Sequence, residues 1–230
     1  KKKLSNQDLE NIFSNFTSEK ISKKVGIDSR SISDENEFST DLAFEAGKKL
    51  LNNTNIKKEE IDFLIFCTQS PENSFPSGSS KLQEQLGLNT STGAIDINQG
   101  CSGYIYGLFI ANSLLKSGMC KNILLLTADT YTKFININDK SNRSIFGDGG
   151  SASLINLNKL NLLDFSLGTD GKGFNNLIAF NSGLKKNPDF SSPELYMNGT
   201  EIFNFTIRNI PSLIDKVLAK NNLTLNDIDL

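Results

Sequence analysis

An α/β fold built on a buried parallel sheet is predicted by three features of the chain. Helical and strand signals alternate along its length. The strand candidates are short and continuously apolar, as in Phe63 to Cys67, which is the pattern of strands covered on both faces. A segment early in the chain also recurs near its end: Asn55-Ile56-Lys57-Lys58-Glu59-Glu60-Ile61-Asp62-Phe63 lines up with Asn222-Leu223-Thr224-Leu225-Asn226-Asp227-Ile228-Asp229-Leu230, an offset of 222 − 55 = 167 residues. In both copies a helical stretch leads to an Asn-apolar turn and an Ile-Asp pair opening a strand, as in a duplicated αβ unit.

From Ser39 to Leu51, the residues Ala43, Ala46, Gly47 and Leu50 share one face and predict an amphipathic helix. Asp62 to Thr68 is rich in β-formers and predicts a strand. The alternating run Ala94 to Asn98 predicts another, followed by a helix over Tyr104 to Lys116 that ends at Ser117-Gly118. Its apolar residues (Tyr104, Ile105, Leu108, Phe109, Ile110, Leu114, Leu115) lie on nearly every side, so a buried central helix is expected. Strands are predicted over Asn122 to Thr127, Ser151 to Leu157, Leu162 to Leu167 and Leu177 to Phe180, with turns at Gly147 to Gly150, Gly168 to Gly173 and Asn187-Pro188. Thr200 to Lys220 sets Phe203, Ile207, Ile210, Ile214, Val217 and Leu218 on a helical stripe expected to face a core, and Pro211 within it predicts a kink or break.

With 37% hydrophobic and 22% charged residues, 230 residues suffice for one or two domains. A net charge of −2 and a pI near 5.3 provide no general attraction to nucleic acid or anionic lipid, although Lys1 to Lys3 and Lys20, Lys23 and Lys24 form local basic spots. No apolar run approaches membrane-spanning length and no signal peptide is visible. Cys67, Cys101 and Cys120 are an odd set without metal-ligand spacing, and the chain has no His, so neither a zinc site nor a cofactor is called for. Free thiols point to a reducing, cytoplasmic setting. Cys67, in an apolar run, and Cys120, just past a helix end, read as structural.

Cys101 stands apart. It lies in Asn98-Gln99-Gly100-Cys101-Ser102-Gly103, between a strand and an apolar helix. Gly100 and Gly103 allow a sharp turn and close backbone approach, which would bring the thiol onto the first helical turn. There the helix dipole favours a thiolate, and free N–H groups can receive the oxyanion of a thioester under attack.

Ala94 to Leu108 (AIDINQGCSGYIYGL) resembles the active-site segment of the β-ketoacyl-acyl carrier protein synthase III family, of the thiolase-like superfamily. Lys24 to Arg30 (KVGIDSR), Phe75-Pro76-Ser77, Ile145 to Gly150 (IFGDGG) and Met197 to Phe203 (MNGTEIF) resemble its other signature stretches, in the same order. The resemblance runs from Leu4 to Leu230. It implies a thiolase-like duplicated αβ sandwich with αβαβα layers, with residues 1–160 as the N-terminal half and 161–230 as an incomplete start of the C-terminal half. It also implies that a first strand and most of the second half are missing, so that the chain alone would be inactive.

The implied activity has two stages. Cys101 takes an acyl group from acyl-coenzyme A or acyl-acyl carrier protein, and decarboxylation of malonyl-acyl carrier protein then supplies the carbanion that extends it. A His and an Asn that the family uses in the second stage are expected beyond Leu230. Phe75 matches a Phe that crosses a homodimer interface into the partner's acyl pocket, and Phe146 one that lines the pocket. Lys20 and Lys24 stand where the family commonly places a donor-binding Trp and Arg, and Asp139-Lys140 where it has Asp-Arg. These departures keep open an acyltransferase that passes the group on without decarboxylation. A structural partner subunit with an incidental Cys is the third reading.

Overall fold

The computed structural model describes residues 2–156 and 164–229. The chain forms two compact units, residues 1–160 and 161–230.

In the first unit, β3 (Phe63–Cys67) lies between β4 (Gly93–Ile97) and β5 (Ile123–Asp129), parallel to both, with Ile65 opposite Ile95 and Leu125. β6 (Gly149–Ile155) completes the order β4-β3-β5-β6 but runs antiparallel to β5, so the sheet is mixed where a parallel one was expected. A parallel pairing needs a crossover to the far end of the sheet, whereas β6 enters at the end where β5 leaves, Asp129 opposite Gly149.

Leu64, Ile65, Phe66 and Ile123 to Leu126 are at most 1% exposed, which explains why β3 and β5 read as unbroken apolar runs. On one face Leu64, Phe66, Leu124 and Leu126 pack with Leu42, Ala43 and Leu51 of α3 (Ser39–Asn52) and Leu82 and Leu86 of α4 (Gly78–Leu86). Each such buried side chain contributes about 1.5–3 kcal/mol of transfer free energy. The inward face of α3 is Leu42, Ala43, Gly47 and Leu51, with the expected Ala46 and Leu50 half-buried beside it.

α5 (Gly103–Lys116) covers the other face, where Gly107 lies so close that a Cβ there would come 2.7 Å from Leu125. It is not buried all round. Gly103, Gly107, Ala111 and Leu115 face inward, while Tyr104, Ile105 and Phe109 are 40–45% exposed. One helix on one sheet face covers only the stripe of small residues.

Before the sheet, β1 (Lys2–Ser5) and β2 (Ser29–Ile32) pair antiparallel, with α1 (Asn6–Ile12) and α2 (Ser18–Val25) between them in sequence. Gly26 ends α2 in the left-handed region at φ 70°, and its amide donates to Ser22 O. Arg30 is buried and bridges three segments, donating to the Asn6 side chain, Ile27 O and Ser144 O. Ser144 belongs to α6 (Lys140–Ile145).

In the second unit the expected strand β7 (Leu177–Phe180) pairs antiparallel with β8 (Glu194–Met197), a strand that sequence reading did not find. Of the strand expected over 162–167, residues 162 and 163 lie outside the described residues, and 164–167 have no regular structure. α7 (Gly199–Lys220) runs unbroken through Pro211, and Asn198 caps it by accepting from Glu201 N at 3.2 Å. Its stripe does not face a core: Phe203 is 63% exposed and Ile207 57%. Periodicity reports an apolar face, not its cover.

Candidate active site

β3, β4 and β5 deliver their C-terminal ends to one edge of the sheet, the edge where parallel α/β sheets place their chemistry. β4 ends at Ile97 and α5 begins at Gly103, leaving Asn98 to Ser102 as the elbow. Cys101 sits in that bend with its side chain exposed, two residues ahead of the helix and not within its first turn. The reason is a tight turn in which Gly103 N donates to Gly100 O at 2.8 Å, so helical geometry starts only at Gly103.

Both flanking glycines sit where the neighbouring side chains leave little room. A Cβ on Gly103 would come 2.2 Å from Cys67 Sγ, and one on Gly100 would come 2.4 Å from Gln69 Oε1. The Cys67 thiol also donates to Gln99 O at 3.3 Å, and Thr68 N to Ile97 O at 3.1 Å. Burial, then the charge of Asp129, pushes the Cys67 thiol up to about 11. Cys67 is therefore a buried strut beneath the bend, as its apolar run suggested, and Cys120 is likewise buried.

Phe75 is 84% exposed on the loop before α4. That loop is tied to the elbow's strand, because Asp96 of β4 accepts from Gly78 N at 2.7 Å and Ser79 N at 2.8 Å, at the start of α4. Phe146 is half-buried and lines a cavity of about 250 Å³ with Leu4, Ile32, Ile135 and Ile137; Cys101 is not among its walls. The connection to the elbow is indirect: Phe146 stacks on Tyr131 (centroids 5.3 Å apart, planes at 12°), and the Tyr131 hydroxyl donates to Gln69. Asp148 of the IFGDGG stretch secures this region, accepting from Ser33 N at 2.8 Å and Thr132 N at 3.0 Å.

Lys20 and Lys24 are exposed one turn apart on α2. Lys140 lies over the Phe16 ring at 5.0 Å, and Asp139 caps α6 by accepting from Asn142 N at 2.9 Å. Among the described residues no cluster of His, Cys, Asp or Glu is suited to a metal, and no helix is long and apolar enough to cross a membrane.

Sequence reasoning missed Gln69, Asp129 and Tyr131. Asp129 Oδ1 accepts from Thr68 Oγ1, Gln69 N, Ser70 N and Ser70 Oγ at 2.7–3.1 Å. Burial nevertheless raises the Asp129 carboxyl above the ordinary range. Polar residues at the ends of apolar strands were the available signal: Gln69 lies two residues past β3, Asp129 ends β5 and Tyr131 lies two residues past it.

The profile of the family described as 3-Oxoacyl-[acyl-carrier-protein (ACP)] synthase III matches residues 95–171. A beta-ketoacyl-[acyl-carrier-protein] synthase III of Caldanaerobacter subterraneus subsp. tengcongensis is 36% identical over 235 residues, covering 99% of this chain and 70% of its own length. One from Rickettsia bellii is 34% identical over 230 residues, covering 99% of this chain and 71% of its own. A crystal structure of a 3-oxoacyl-(acyl-carrier-protein) synthase III superposes with a TM-score of 0.95 at 37% identity, over 100% of this chain and 73% of that one. Sequence, the thiolase-like architecture and the strand-end cysteine agree, and the chain belongs to the 3-oxoacyl-[acyl-carrier-protein] synthase III family of condensing enzymes.

Proposed function

We propose that Cys101 is the acyl-accepting nucleophile of a β-ketoacyl-acyl carrier protein synthase III-like condensation. The observation that carries this reading is an exposed thiol on a bend held between two packed glycines, at the end of a strand in a parallel array. The thiolate attacks the carbonyl carbon of an acyl thioester, the bond to the carrier sulfur breaks, and the carrier thiol leaves with the proton that Cys101 gave up. Malonyl-acyl carrier protein then loses carbon dioxide. The electron pair of the broken C–C bond attacks the Cys101 thioester, and Cys101 departs as thiolate. The 230 residues contain no His, so the residues assigned here account for the loading stage.

In the same reading Phe146 lines the acyl pocket, Phe75 reaches the pocket of a second copy in a homodimer, and Lys20 and Lys24 meet the donor's phosphates in the cytoplasm. Residues 1–160 correspond to the first thiolase-like half and 161–230 to the start of the second. Support for the duplication comes from the repeat, whose copies form 3₁₀ turns at Lys58–Glu60 and Leu225–Asp227, also 167 residues apart (225 − 58).

Full-length protein is incubated with acyl-coenzyme A and acyl-acyl carrier protein donors of several chain lengths, and adducts are mapped by mass spectrometry. An acyl group on Cys101, lost in Cys101→Ser, is expected, with carbon dioxide and a β-ketoacyl product once malonyl-acyl carrier protein is added. An unmodified Cys101 with every donor overturns the reading. A loaded enzyme that releases no carbon dioxide would direct it to acyl transfer instead.

A further inference from the structure

Three strand ends converge beneath Cys101, and only one of them carries it. Asp129 accepts Gln69 N at 2.7 Å and Ser70 N at 3.0 Å, which fixes the backbone just after β3. The Gln69 side chain is thereby set under the elbow, its Oε1 against Gly100 and receiving the Tyr131 hydroxyl. The ring of Tyr131 stacks on Phe146. One connector thus touches the residue before the nucleophile at one end and a cavity wall at the other.

We propose that Gln69 and Tyr131 act as a pair of positioning residues for Cys101, fixing the bend at Gly100 and tying it to the Phe146 wall. The inference rests on the reading of Cys101 as the acyl acceptor. Gly100 has no side chain; its carbonyl is held by Gly103 N at 2.8 Å, and the position a side chain would occupy faces Gln69 Oε1 and the Tyr131 hydroxyl. A free amide side chain turns readily about its last torsion. The hydrogen bond from Tyr131 removes that freedom, so the surface under Gly100 has one shape. Burial, then the charge of Asp129, raises the Tyr131 phenol above its ordinary range, so the hydroxyl stands as a protonated donor.

The test uses full-length protein and rapid-quench mass spectrometry of Cys101 acylation, with donor concentration varied. Tyr131→Phe keeps the stacked ring and removes only the donor; Gln69→Leu keeps the bulk and removes the acceptor. Each is expected to slow acylation at saturating donor on the order of tenfold, with the donor concentration for half-maximal rate and the urea midpoint unchanged. The double variant is expected to be no slower than the worse single one, because the two groups act as a unit. If the wild type takes no acyl group, the reading of Cys101 itself fails. If the wild type loads, the pairing is overturned by single variants that load at wild-type rate, by additive losses, or by losses that track a falling urea midpoint.

Discussion

At Lys57–Glu60 and again at Thr224–Asp227, a carboxylate three residues on accepts a backbone N–H at 2.8 Å and a 3₁₀ turn follows. The Ile after each turn then meets a different fate: Ile61 is 2% exposed beneath the central sheet, and Ile228 is 45% exposed. The preceding helices differ in the same way. α3 buries Leu42, Ala43, Gly47 and Leu51 against β5 and β6, while no residue of α7 is buried, although its stripe has the same period. Local sequence thus sets the turn and the helix, and burial depends on a sheet that lies elsewhere in the chain.

Ile61→Ala should have the largest effect, lowering stability by about 2–5 kcal/mol in urea unfolding of the full-length protein, because a fully packed side chain leaves a cavity. An effect within about 0.5 kcal/mol would erase the contrast with Ile228. Gly103→Ala ranks next, at about 1–3 kcal/mol, since the added methyl meets Cys67 Sγ at 2.2 Å. The same experiment separates elbow from core: combining it with Cys67→Ala should recover part of the loss by relieving that clash.

Asp129→Asn should have a smaller effect and a distinctive pH signature. Burial raises the folded carboxyl, so its favourable contribution exists below the unfolded value and is lost as pH rises through the raised folded one. Four donors meet Oδ1, an atom that Asn retains. Urea midpoints of the wild type should therefore fall relative to those of the variant as pH climbs above the ordinary carboxylate range of about 4, and parallel curves would contradict the assigned cause. In the 230-residue chain itself, Ile228→Ala closes the series with a change within about 0.5 kcal/mol, as for a side chain that is 45% exposed there. A loss matching that of Ile61→Ala would show the two turns to be equally loaded.

Much of the site was legible before the fold was known. Glycines flanking a lone thiol between an alternating run and an apolar run marked the elbow, and the structure puts Cys101 in it. The residues under it were not legible. Gln69 and Tyr131 lie 62 positions apart, so nothing in either neighbourhood announces the other. The fully buried helix expected over Tyr104 to Lys116 was misread for the complementary reason, that composition reports apolarity and not which face has a partner.

By itself the sequence determined the α/β alternation, the strand-to-helix bend at Cys101 and the repeated turn. All of these are governed by residues within a few positions of one another, through backbone propensity and short-range hydrogen bonds. Tertiary structure alone decided that β6 runs antiparallel, that Gly100 rests on Gln69 and Tyr131, and that Ile61 is covered. Those outcomes depend on contacts between segments distant along the chain, whose closure is set by the packing of the whole sheet and not by any local pattern.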